Sequence, residues 1–133
     1  MNHDAIVQLS FEVQGLLGEL AAEHDLSLTQ FRLLAILRDR EPAMLDLARH
    51  LKLEKSSATG LIDRAERRGL VERFPGARDG RAVHVRLTPA GRRLVAAVEP
   101  VAQERLSALL DVLPVGDQQR LAALAGSVLE AKS

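Results

Sequence analysis

The chain has 133 residues, 47% of them hydrophobic and 27% charged, with 18 Lys+Arg set against 18 Asp+Glu and with neither cysteine nor tryptophan. One domain is the default at that length, and such a composition buries a core beneath a polar surface, which excludes wholesale disorder and a collagen-like chain. The lack of cysteine excludes disulfides, thiol redox sensing and thiolate metal sites. Met1-Asn2-His3-Asp4 carries no basic segment ahead of an apolar stretch, and no purely apolar run is longer than that from Leu33 to Leu37, far short of a membrane span. A soluble cytoplasmic protein is the expectation.

From Asp4 to about Glu23, Ile6, Leu9, Val13, Leu16, Leu17 and Leu20 follow the three-and-four spacing of one helical face. His24-Asp25-Leu26 breaks that helix, and Ser27 or Thr29 can cap a second, which carries Phe31, Leu34, Ala35, Ile36 and Leu37 and ends near Arg40. Pro42 marks a loop. A short helix is predicted over Leu45 to Leu51. A fourth, after Lys52-Leu53-Glu54-Lys55, reaches about Arg68 with Ala58, Leu61, Ile62 and Ala65 as its core stripe, and Gly69 sits where a positive φ closes a helix.

Beyond Gly69 the period falls from about four to two. Val83, Val85 and Leu87 alternate with Ala82, His84 and Arg86 as a strand with one wet face requires, and Val71 to Phe74 is its predicted partner. The turn-rich Pro75-Gly76-Ala77-Arg78-Asp79-Gly80 joins them, giving a hairpin with a basic tip. Thr88-Pro89 reads as a cap followed by proline at the first helical position. A long helix runs from there towards Leu113, with Pro100 expected to bend it. Asp117 is the expected cap of a final helix bearing Leu121, Leu124, Val128 and Leu129.

Neutral net charge hides an uneven distribution. Between Glu54 and Arg93 stand ten Lys/Arg and five Asp/Glu, a balance of +5, so the remainder sums to −5. A basic block in an acidic frame suits one face meeting a polyanion while the rest is repelled from it. Two short helices and a basic hairpin form a helix-turn-helix with a wing. If the fourth helix buries its stripe, Lys55, Ser56, Ser57, Thr59, Gly60, Asp63, Arg64 and Arg67 lie on or beside its outer face. Small hydroxyls followed by cations suit a helix whose N-terminal end enters the major groove. Ser56 and Ser57 read equally well as capping residues, and Arg67 and Arg68 as complements of the helix dipole.

The run Leu47-Ala48-Arg49-His50-Leu51, then Leu61-Ile62-Asp63-Arg64-Ala65-Glu66-Arg67-Arg68-Gly69-Leu70-Val71-Glu72-Arg73, then Arg78-Asp79-Gly80-Arg81-Ala82-Val83 and Leu87-Thr88-Pro89-Ala90-Gly91 resembles the MarR family of bacterial transcriptional regulators, over about Leu28 to Val95. The fold class expected is mainly α with a small β-hairpin: a winged helix-turn-helix of residues 28–93, framed by dimerisation helices in 1–27 and 94–133 of a single domain. The resemblance implies a homodimer whose first and last helices interlock, each subunit offering a winged helix to half of a pseudo-palindromic operator in double-stranded DNA. It also implies repression relieved by a small, often aromatic or anionic, effector.

The DNA contacts expected are Lys55, Ser56, Ser57, Thr59, Arg64 and Arg67 on the helix, with Arg78, Asp79 and Arg81 on the wing. Asp79-Gly80-Arg81 matches the family's Asp-x-Arg wing motif, whose arginine reaches into the minor groove, where negative potential is concentrated. Asp79 reads both as a turn residue and as a carboxylate that orients Arg81. Gly60 and Ala58 are smaller than the residues many family members carry there, which moves specificity onto Ser56, Ser57, Thr59, Arg64, the wing or operator shape. The family's pocket lies between the dimer helices and the winged helix, making Leu16, Leu20, His24, Phe31 and Arg32 candidate ligand contacts. Most of these read equally as core, and Arg32 has an anionic effector, Asp39 or no partner as alternatives.

Other functions are poorly served. His3, His24, His50 and His84 include no HxxxH or HxxE pair, although Glu23 and Asp25 flank His24, so no metal is expected and a metal-responsive regulator of this fold stays an alternative. Asp46 and His50 lie one helical turn apart ahead of two serines, but such a pair is normally a simple helix contact, and no phosphate loop or paired catalytic carboxylates appear. Neither an enzyme nor a cofactor is expected. A winged helix used for protein interaction or dimerisation is the other alternative, and the basic block argues against it. Phe11, Phe31 and Phe74, the chain's aromatics, make no stacking platform for single strands.

Overall fold

A computed structural model describes residues 3–76 and 82–132. Its elements are α1 (Asp4–Ala22), α2 (Leu28–Leu37), α3 (Met44–Leu51), α4 (Lys55–Arg67), β1 (Val71–Pro75), β2 (Val83–Leu87), α5 (Pro89–Leu110) and α6 (Val115–Glu130). The joints follow local chemistry. Ser27 and Gln30 form a reciprocal capping box at the start of α2. Gly69 takes φ 72° and ends α4. Thr88 caps α5 by accepting the Gly91 N–H, with Pro89 in the first turn, where a missing N–H costs nothing.

The strands pair antiparallel with Val71 opposite Leu87 and Arg73 opposite Val85. The loop before α3 extends this sheet: Ala43 bridges His84, and Val85 N–H donates to the Pro42 carbonyl at 3.0 Å. The main core gathers Leu33, Leu37, Leu47, Leu51, Leu61, Ile62, Val71, Val85 and Leu87, so α2, α3, α4 and the sheet fold as one body. A smaller core of Leu20, Val98 and Ala102 packs α1 against α5, and Phe31 and Leu94 touch both.

Three expectations are corrected. α6 begins at Val115 with Pro114 as its N-cap, because the extended Pro114 presents its carbonyl to the Asp117 and Gln118 N–H groups. Asp117 therefore falls in the first turn, where its charge meets the positive helix end. α5 closes at Leu110 rather than near Leu113. Val83, opposite Pro75 at the far end of the ladder, is 43% exposed rather than inward.

Candidate nucleic-acid interface and an adjoining cavity

Helix α4 buries Ala58, Leu61, Ile62 and Ala65, which turns Ser56, Gly60, Asp63 and Arg67 to the opposite side. Glu54 is the N-cap and makes no side-chain capping bond, so Ser56 and Ser57 are exposed residues of the first turn and not caps. Lys55 and Arg64 are exposed on the flanks. Thr59 is half-buried, and its hydroxyl donates back to the Lys55 carbonyl at 2.9 Å. A methyl group built on Gly60 would meet only the Arg64 guanidinium, at 3.5 Å, so the arginine lies over the gap that the glycine leaves.

The basic block divides by role. Arg73 on β1 reaches Asp63 at 2.7 Å and also bonds Glu66, so one guanidinium holds both carboxylates beside α4's outer face and offsets one of their two charges. Arg86 bonds Glu72 across the strands at 2.7 Å and stacks over Phe74, 4.2 Å from the ring centre. His84 packs tilted against the same ring. Arg68 donates to the carbonyls of Asp25 and His24, at 2.7 and 3.0 Å, and so fastens the end of α4 to the α1–α2 turn, where Asp25 has φ 58°. By contrast Lys55, Arg64, Arg67, Arg92 and Arg93 are exposed and form no ion pair among the described residues. Pairing thus engages Asp63, Glu66 and Glu72 with arginines of the sheet and leaves these five cations outside any such pair. The wing residues Arg78, Asp79 and Arg81 lie outside the described residues.

A cavity of about 200 Å³ opens between α1, α2 and α5, at the seam of the two cores. Its wall is apolar, built from residues such as Leu17, Phe31, Leu34, Leu94 and Val98, with Arg38, Glu99 and Gln103 supplying its polar groups. Of the residues suggested by sequence, Phe31 lines it. Leu20 is 1% exposed in the smaller core and Leu16 is half-buried on α1. His24 offers its carbonyl to Arg68, and Arg32 donates to the His50 carbonyl at 2.9 Å. Asp39, weighed as a partner for Arg32, pairs instead with Arg38 at 2.9 Å. That hydrogen bond holds the Asp39 carboxyl below its usual range and raises the Arg38 guanidinium. Close by, Arg105 on α5 grips Glu23 through two bonds of 2.5 and 2.9 Å, and this contact lowers the Glu23 pKa.

Asp46 pairs with Arg49, and His50 faces Arg40 at 3.2 Å, so this pair is spent on arginines. Among the described residues no three His, Asp or Glu side chains converge as a metal site, and no helix is long and apolar enough to cross a membrane.

What sequence reasoning missed is the structural employment of Arg68, Arg73 and Arg86. A usable signal existed for two of them: Asp63 and Glu66 lie one turn apart, within reach of the next strand, and Glu72 stands opposite Arg86 once the hairpin register is drawn.

A helix-turn-helix of α3 and α4 with a two-stranded wing, flanked by long helices, defines the winged helix-turn-helix class. Residues 26–83 match the model of the MarR family. The chain is 29% identical over 103 residues to an uncharacterized HTH-type transcriptional regulator, YkoM, of Bacillus subtilis, covering 77% of this chain and 67% of that protein. It is 29% identical over 99 residues to the HTH-type transcriptional repressor NicR of Pseudomonas putida, covering 74% and 63%. The fold superposes on wild-type MarR from E. coli with a TM-score of 0.79 at 26% identity, over 94% of both chains. The match to the MarR family runs from the end of the α1–α2 turn to the start of β2, and over that stretch the chain is similar to the family.

Proposed function

We propose that the protein is a sequence-specific double-stranded DNA-binding transcriptional regulator, acting in the cytoplasm as a homodimer on a pseudo-palindromic operator. Residues 28–93 contact DNA, and helices within 1–27 and 94–133 pair the subunits. The observation that carries this reading is the outer face of α4: Ser56, Ser57, Arg64 and Arg67 are exposed beside a two-stranded wing, while Asp63 and Glu66 are both held by Arg73. A phosphate-lined groove rewards that pattern, with cations for the backbone and short polar groups for base edges. On the wing, Arg81 is the minor-groove contact, assisted by Arg78 and oriented by Asp79.

Dimerisation is supported by apolar side chains left in water. Ile6, Val7 and Phe11 on α1 and Leu124, Val128 and Leu129 on α6 are 44–69% exposed, and α6 buries none of its residues. A second copy is the natural cover for such stripes. Repression is supported by the name of the relative NicR, and response to a small molecule by the cavity at the seam of the two cores, where an occupant bears on both.

The test is selection of duplex fragments from the source genome on the purified protein, followed by comparison with Arg64→Ala. The wild type should separate its selected fragment from random duplex, and the variant should lose much of that ratio, about 1–3 kcal/mol per specific contact. Equal affinity of the wild type for both duplexes contradicts a sequence-specific regulator.

A further inference from the structure

The charges around the cavity narrow what can occupy it. Its polar rim is Arg38 and Glu99, and the cation is already committed: Arg38 gives Nε and Nη2 to Asp39, at 3.1 and 2.9 Å, and Nη1 to Glu99 at 2.7 Å. Two carboxylates thus occupy the donors of one guanidinium, and one of them, Glu99, lines the cavity itself. Arg38, Asp39 and Glu99 lie in the acidic part of the chain, outside the basic block of residues 54–93. A carboxylate entering here meets a cation whose best donors are taken and an anion beside it.

The size is restrictive as well. At about 200 Å³ the space is larger than the roughly 150 Å³ cavity that accepts a benzene ring, and smaller than the roughly 300 Å³ at which drug-sized pockets begin. Leu17, Phe31, Leu34 and Val98 give a body of one or two rings only apolar contact, and Gln103 is the uncharged polar group within reach.

Resting on the proposal that this cavity receives the effector, we infer that the effector is a compact apolar molecule, neutral or cationic, and that carboxylates are rejected. Of the aromatic and anionic effectors that the family resemblance allows, the site keeps the first and disfavours the second.

Naphthylmethylammonium, naphthylmethanol and naphthoate share one ring system and differ in charge. Each is titrated calorimetrically into the full chain, with release from selected duplex DNA followed in parallel. The ammonium and the alcohol should bind, and naphthoate should bind at least about tenfold more weakly. Glu99→Gln should shrink the ammonium-to-carboxylate ratio several-fold. Ala35→Leu, at an exposed rim position on α2, should suppress binding of all three without lowering the melting temperature. Naphthoate binding as tightly as the ammonium overturns the charge class. Failure of all three to bind, or binding indifferent to Ala35→Leu, overturns the cavity as the site and the inference with it. Binding in the expected order without DNA release sustains the ligand class and counts against the regulatory reading alone.

Discussion

Gly91→Ala tests how the long helix is joined to the winged body. A Cβ at Gly91 would stand 2.1 Å from the Leu70 carbonyl oxygen, 3.1 Å from its carbon and 3.2 Å from Leu87 Cδ2. The first two are backbone atoms at the entry to β1, and the same carbonyl accepts the Thr88 N–H at 3.1 Å. Restoring ordinary contact moves the start of α5 by about 1 Å, well beyond what side-chain adjustment absorbs. Overpacking of this kind costs about 1–3 kcal/mol. Stretching the Thr88 bond, with Leu70 8% exposed, adds about 1–3 kcal/mol for a poorly satisfied acceptor. Exchanging glycine for alanine in a helix returns at most about 1 kcal/mol. The net expectation is a loss of about 3 kcal/mol. Gly60→Ala is the control: its Cβ meets only a flexible guanidinium at 3.5 Å, so the same exchange should stabilise by up to about 1 kcal/mol. Urea unfolding at one fixed protein concentration reads both as shifts in midpoint at unchanged slope. Gly91→Ala unfolding at or above the wild-type midpoint would refute the argument.

Sedimentation at micromolar concentration should give about twice the 14.5 kDa chain mass, and a folded monomer there would contradict the cover proposed for α1 and α6. Arg81→Ala should weaken operator binding by about 1–3 kcal/mol with the melting temperature nearly unchanged, and Asp79→Ala should weaken it less. A lowered melting temperature would instead make Arg81 an anchor of the hairpin. The Glu23–Arg105 pair should make stability pH-dependent: the folded-state pKa of Glu23 is depressed, so its contribution is complete above about pH 5 and is lost as pH falls through the lowered value. Arg105→Ala should therefore unfold more easily than the wild type at pH 7, with the gap closing in acid. A gap that persists at pH 2 would locate the effect in packing.

Elements whose signal is local were legible in the sequence. The stripe Ala58, Leu61, Ile62 and Ala65 fixes which side of α4 is outward, and Gly69 marks its end because positive φ is easy only for glycine. The start of α6 was not, since Pro114 and Asp117 offer competing signals and the carbonyl of Pro114 decides between them. Arginine roles were only half legible. Composition counts Arg68, Arg73 and Arg86 with Arg64 and Arg67, but their partners lie 7 to 44 residues away in sequence and appear only when helix, turn and strand are packed. The cavity was harder still. Phe31 was named only because the family resemblance puts a pocket between the dimer helices and the winged helix, while Leu94, Val98 and Glu99 join the wall because α5 crosses α2, which no local pattern states.

The central claim, that the surface around α4 is built for duplex DNA, is tested most directly by the salt dependence of binding to duplex and to single strands of the same sequence. Five exposed cations per chain, Lys55, Arg64, Arg67, Arg92 and Arg93, form no ion pair among the described residues. Each phosphate they neutralise steepens the plot of log K against log salt by roughly 0.9. A dimer should therefore bind the duplex with a slope of about −5 or steeper, and the single strand far more weakly. A slope near zero, or equal affinity for both forms, would contradict the account.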